Sequence, residues 1–147
     1  MIQEFKSEFS RIAIVVGAEF QTLEASELEE FAQGFDFSTP LINFVPIDRF
    51  QSNIGELGQV IFDGNIVLQF LTKAETDDRL ENIKDSLIDD MINLSTLFYR
   101  ELNKNEMLVF GTPRWRWDSS IMRFKTSNYL VGVQNAITFS TSCARIS

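Results

Sequence analysis

Residues 60–102 read VIFDGNIVLQFLTKAETDDRLENIKDSLIDDMINLSTLFYREL, and the hydrophobic rhythm changes halfway through. Val60, Phe62, Gly64, Ile66, Leu68 and Phe70 share one face at period two, which reads as a single strand of about twelve residues. The other face, Ile61, Asp63, Asn65, Val67, Gln69 and Leu71, is mixed and is expected to be partly covered. A competing reading makes Asp63-Gly64 a type I′ hairpin turn. The alternation passes through the glycine without changing face, which favours one strand. The step then becomes three and four: Leu80, Ile83, Leu87, Met91, Leu94, Phe98 and Leu102, with Ile88, Ile92 and Leu97 widening the stripe. Thr76 is placed to cap a helix. Asp77 and Asp78 lie in its first turn, where the dipole favours negative charge, and Lys104 lies at the far end. The spacing predicts a helix over 77–103, roughly 40 Å long, lying across a sheet.

Working outward, Ile2, Phe5, Phe9, Ile12 and Val16 recur at helical spacing over 2–17. TLEASELEEFAQGF (22–35) suggests a shorter helix near 25–33, with Ser26 as cap, Glu29 completing a capping box and Gly34 as stop. In PLINFVPID (40–48) two prolines oppose a helix, and Leu41 to Val45 reads as a short strand ending at an edge or bulge. DRFQSNIGELGQ (48–59) is polar and glycine-bearing and reads as a loop. After the long helix, EMLVF (106–110), RWRW (114–117), IMRFKT (121–126) and YLVGVQNAITFSTS (129–142) are strand-like. Val131, Val133, Ile137 and Phe139 share one face of the last. Turns at 111–113, 118–120 and 126–128 would fold these segments antiparallel. The expectation is a single α+β domain over 1–147 with a helical part at 1–36. Its mostly antiparallel sheet of about four to five strands would pack against one long helix, with one or two shorter N-terminal helices.

Composition narrows the chemistry. The 147 residues are 44% hydrophobic and 23% charged, ordinary for a globular protein. Fourteen Phe against two Tyr favours dry packing over hydrogen-bonded aromatic anchors. There is no histidine and one cysteine, Cys143, which removes Ser–His and Cys–His nucleophile pairs, an intrachain disulfide and a Cys-ligated zinc site. With Arg145 as its only basic close neighbour, Cys143 reads as a structural thiol. The net charge of −8 opposes nucleic-acid binding through the overall field. The charge is uneven: residues 1–36 carry −6, residues 37–106 carry −6, and residues 107–147 carry +4. The start of the chain lacks a basic region followed by an apolar core, so no leader or membrane span is expected, and a cytoplasmic site of synthesis is.

Few constellations carry chemistry. Asp77-Asp78 and Asp89-Asp90 are paired carboxylates, but neighbours on a helix point about 100° apart, so capping and solvation explain them better than a metal. No phosphate-loop spacing is present. PRWRWD (113–118) is the most conspicuous cluster, with Trp115 and Trp117 on one strand face and Arg114 and Arg116 on the other. It reads as a core anchor, a subunit interface or, less readily in an acidic chain, a base-stacking platform.

The order of elements resembles the small tail-terminator, or tail-completion, proteins of long-tailed bacteriophages. The likeness covers roughly residues 41–142. It rests on PLINFVPID, on the strand ending LQFLTKAETDD followed by a long helix, and on SNYLVGVQNAITFSTS, which is similar to the family's closing strand. The resemblance implies a sheet packed on helices and a ring of several copies, commonly about six, that ends the tail tube and joins it to the neck. It implies partners in copies of itself, tail-tube and neck or connector proteins, and a place in the virion. It implies no catalytic residue, no cofactor, no membrane and no sequence-specific nucleic acid. The candidate subunit-interface residues are Arg114, Trp115, Arg116 and Trp117 on a basic side, with Asp77 and Asp78 on an acidic one. Three rivals stand beside this reading: another head–tail connector protein, a small cytoplasmic binding module with its partner at the sheet edge, and a carboxylate enzyme needing two converging acids.

Overall fold

Strand β4, Val60–Lys73, is the axis of the sheet and runs unbroken through Asp63-Gly64. The computed structural model describes residues 2–74, 81–104, 117–123 and 129–142. Before β4 come α1 (Ile2–Val15), β1 (Glu19–Gln21), α2 (Ala25–Gly34), β2 (Leu41–Val45) and β3 (Phe50–Ile54). After it come α3 (Glu81–Asn103), β5 (Trp117–Arg123) and β6 (Leu130–Ser142). Among the described residues the fold is α+β, with three helices and a mixed, mostly antiparallel sheet of six strands. Its order is β1-β2-β4-β6-β5, and β3 pairs with β4 off that path.

Two of the six strands were not expected. β1 is three residues long and pairs parallel with β2, too short for any alternation to register. β3 occupies what reads as a loop. β2 and β3 lie along the same edge of β4: Leu41–Val45 pairs with Leu71–Val67, and Phe50–Ile54 pairs with Gly64–Val60. The two are one strand interrupted, with residues 46–49 bulging out opposite Asn65 and Ile66. Pro46 explains the break, since it cannot donate to the ladder. The expected turn at 118–120 is absent too, because β5 pairs continuously with β6 from Trp117↔Ile137 to Arg123↔Val131.

The helix layer also differs from one long helix alone. α1 and α3 together cover one face, and Phe5, Phe9, Ile12 and Ala13 of α1 are buried beside Ile88, Met91, Leu94, Phe98 and Leu102 of α3. They rest on Ile66, Leu68 and Phe70 of β4 and on Val131, Val133, Ile137 and Phe139 of β6. Ile92 and Leu97, expected to widen the stripe, are exposed. The phenylalanines meet at the centre: Phe9 lies 5.4 Å from Phe44 and 5.7 Å from Phe98, and Phe98 lies 5.4 Å from Phe70. Edge-to-face and tilted contacts of this kind fill a dry core without needing hydrogen-bond partners.

Helix ends follow local rules. α1 stops at Gly17, whose φ is +78°, and Ala18 N–H reaches the Ala13 carbonyl at 2.8 Å while Gly17 N–H reaches Ile14 at 3.2 Å. That is a Schellman motif. α2 begins after Glu24, whose N–H donates to the Glu27 carboxylate at 3.1 Å. The expected Ser26–Glu29 box is displaced because Ser26 already lies within the helix. α2 covers the opposite sheet face at one end, where Leu28 and Ala32 pack on Leu41, Leu71 and Leu130. This accounts for part of the mixed second face of β4. The expected start of the long helix at 77–80, the strand 106–110 and the turns at 111–113 and 126–128 lie outside the described residues.

Candidate functional site

Of the residues expected at a subunit interface, Asp77, Asp78, Arg114, Trp115 and Arg116 lie outside the described residues, and Trp117 lies within them. Trp117 opens β5 opposite Ile137 and stacks on Tyr99 of α3, with ring centroids 4.0 Å apart and planes 26° from parallel. Its ring is half-buried and packs against the main core.

Beside it runs a polar chain from the exposed Ser119 to the buried Asn135 and Tyr99. The Ser119 hydroxyl donates to the Asn135 side-chain carbonyl at 2.8 Å, and the Asn135 amide donates to the Tyr99 hydroxyl at 3.0 Å. Asn135 is fully buried, so these bonds satisfy groups that burial would otherwise penalise. Burial raises the Tyr99 phenol well above its ordinary value of 10.0, and the bond from Asn135 opposes the rise only in part. The folded pKa exceeds the unfolded one, so the neutral phenol's contribution is complete below about pH 10 and is lost as pH climbs toward the folded value. The unfolding free energy from urea titrations should therefore fall above about pH 10, by up to about 1.4 kcal/mol per pH unit. Tyr99→Phe should flatten that alkaline loss, while costing about 1–3 kcal/mol at neutral pH by stranding the Asn135 amide. An unchanged alkaline slope in Tyr99→Phe would refute this account.

The other face of the sheet carries an amide ladder. Asn43 bonds both the N–H and the carbonyl of Leu23, at 2.8 and 3.0 Å, and donates to Gln69 at 2.9 Å, which donates to Gln134 at 3.0 Å. Three strands are tied together, and the segment leading into α2 is held on them.

The break between β2 and β3 opens a cleft of 640 Å³ bordered by Val45, Pro46, Asp48, Arg49, Asp63 and Thr138. Its polar groups are partly engaged: Asp63 accepts from Asn53 at 2.6 Å, and Asn65 accepts from the Thr138 hydroxyl at 3.3 Å. Among the described residues no group of three or more Asp, Glu, His or Cys is placed to hold a metal, and no helix is long and apolar enough to cross a membrane.

The β3–β4 hairpin beside the cleft is the more distinctive surface. All five residues of β3 are exposed. Phe50 is 49% exposed, Ile54 80%, Leu57 91% and Val60 38%, so an ordered, paired arm carries apolar side chains into solvent. Sequence reasoning missed it because FQSNI lacks alternation and sits between turn-forming residues. The one available signal was Phe and Ile spaced four apart in a polar stretch. No protein-family model matches the chain, and no curated protein matches it.

Proposed function

We propose that the chain is a non-catalytic structural subunit of a long-tailed bacteriophage, of the tail-terminator kind. Its copies form a ring at the head-proximal end of the tail. That ring closes the tube and joins it to the neck, so the partners are copies of itself, tail-tube protein and neck or connector proteins. The observation that carries the reading is the β3–β4 arm, whose Phe50, Ile54, Leu57 and Val60 remain exposed on a hydrogen-bonded strand pair. Apolar surface held out on ordered structure suits assembly better than catalysis. The resemblance over residues 41–142 adds to this. So does the division between an acidic body and a basic C-terminal segment, which suits a head-to-tail contact that closes on itself. The residues proposed for that contact are Arg114, Trp115, Arg116 and Trp117 on the basic side and Asp77 and Asp78 on the acidic one.

Light scattering across a concentration series, with negative-stain imaging, tests the reading. A closed ring of about six copies is expected, formed by the protein alone or once tail tubes are added. Arg114→Glu with Arg116→Glu should reduce ring formation at least about tenfold while leaving the far-UV spectrum and urea midpoint unchanged. A species that stays monomeric even with tail tubes would overturn the ring. It would favour the second reading, a binding module that uses the cleft beside Arg49.

A further inference from the structure

Among the described residues, strand β3 lies at an open edge of the sheet. Among the described residues it pairs only with β4, and Phe50-Gln51-Ser52-Asn53-Ile54 contains no charge and no proline. The turn that follows sets the direction of its backbone groups. Gly55 N–H donates to the Gln59 carbonyl at 2.8 Å, which makes Gly55 and Gln59 a hydrogen-bonded pair. Antiparallel pairs alternate in type. Gln51 and Asn53 therefore bond to β4, whereas Phe50, Ser52 and Ile54 aim their N–H and C=O groups at the open edge.

The side-chain order along this edge reads the same in both directions: apolar, amide, serine, amide, apolar. A second copy laid antiparallel, with Ser52 on a two-fold axis, sets Phe50 against Ile54 and Gln51 against Asn53. The outward backbone groups of Phe50, Ser52 and Ile54 then pair with those of Ile54, Ser52 and Phe50 in the other copy. We infer that β3 is a self-association edge: two copies join β3 to β3 about a two-fold axis at Ser52, which merges their sheets into one. An unrelated extended peptide would satisfy the backbone alone, whereas a second copy also matches the side-chain order. The contact is isologous, distinct from the head-to-tail contact of a ring, and either can stand without the other.

The test places Ser52→Cys on a Cys143→Ser background, which removes the one native thiol. The two-fold sets the paired Cα atoms about 5.5 Å apart, within disulfide range. Under mild oxidation this variant should form a covalent dimer at least about tenfold faster than Leu57→Cys, an exposed thiol beyond the ladder. Phe50→Cys mixed with Ile54→Cys should crosslink to each other faster than either does to itself. Adding Ser52→Pro to that pair removes an N–H that faces the open edge, not β4, so the fold should survive while crosslinking drops to the Leu57→Cys rate. Equal rates for Ser52→Cys and Leu57→Cys, or crosslinking indifferent to Ser52→Pro, would overturn the inference.

Discussion

Gly132→Ala is expected to leave little or no folded protein. Gly132 lies in β6 between Leu71 of β4 and Met122 of β5, with a φ of +159°. A Cβ built there would stand 1.9 Å from the Phe70 carbonyl oxygen and 3.1 Å from the Leu71 Cα. Both are backbone atoms of the central strand, so no rotamer change relieves the clash. The β4–β6 ladder would have to part where Thr72↔Val131 and Leu71↔Gly132 meet. A loss above about 4 kcal/mol follows, a large share of the 5–15 kcal/mol that typically separates folded from unfolded domains. Gly34→Ala serves as the control, since a Cβ there meets nothing within 4 Å, and it should be neutral or slightly stabilising. Far-UV spectra, soluble yield and urea midpoints of the two variants decide the matter. A Gly132→Ala protein with a near-native midpoint would show that the two strands are not held so close.

Phe98→Ala should be the most damaging truncation in the helix layer. Phe98 is fully buried and touches three other aromatic rings, Phe9 at 5.7 Å, Phe70 at 5.4 Å and Tyr99 at 5.5 Å. It therefore joins α1, α3 and β4 at one point. Removing the ring forfeits its transfer free energy and leaves a cavity that three rigid neighbours cannot close, so about 3–5 kcal/mol is expected. Leu97→Ala, one residue away and 50% exposed, should cost less than about 1 kcal/mol. The contrast in urea midpoints reads directly which face of α3 is inside. Similar losses for the two variants would mean the helix is rotated.

Where hydrophobic periodicity ran long enough, the sequence was legible. Ile66, Leu68 and Phe70, Val131 and Val133, and Met91, Leu94, Phe98 and Leu102 all turn inward as their spacing demands. β1 was not legible, because three half-buried residues in a parallel pairing leave no pattern. β3 was hidden for the opposite reason: with every residue exposed, burial has written nothing into it. Ile92 and Leu97 misled because hydrophobic character alone does not say where a stripe ends. Of the candidate interface, the stacking of Trp117 on Tyr99 was out of reach. It depends on which helix face meets which strand, a relation between segments that no local spacing records.

The sheet order has a consequence for the newborn chain. β6 is the last of the described strands in chain order, yet it lies inside the sheet between β4 and β5. Gln69 and Gln134, which face each other across that central pairing, are 65 residues apart. During synthesis β4 emerges well before β6, and until β6 arrives the Ile66–Phe70 stretch has one bare flank. Closing so long a loop is slow relative to helix formation, and the bare flank invites a wrong strand in the meantime. The β4–β6 pairing thus leaves an interval, between translation of β4 and of β6, in which the central strand is open to misassembly.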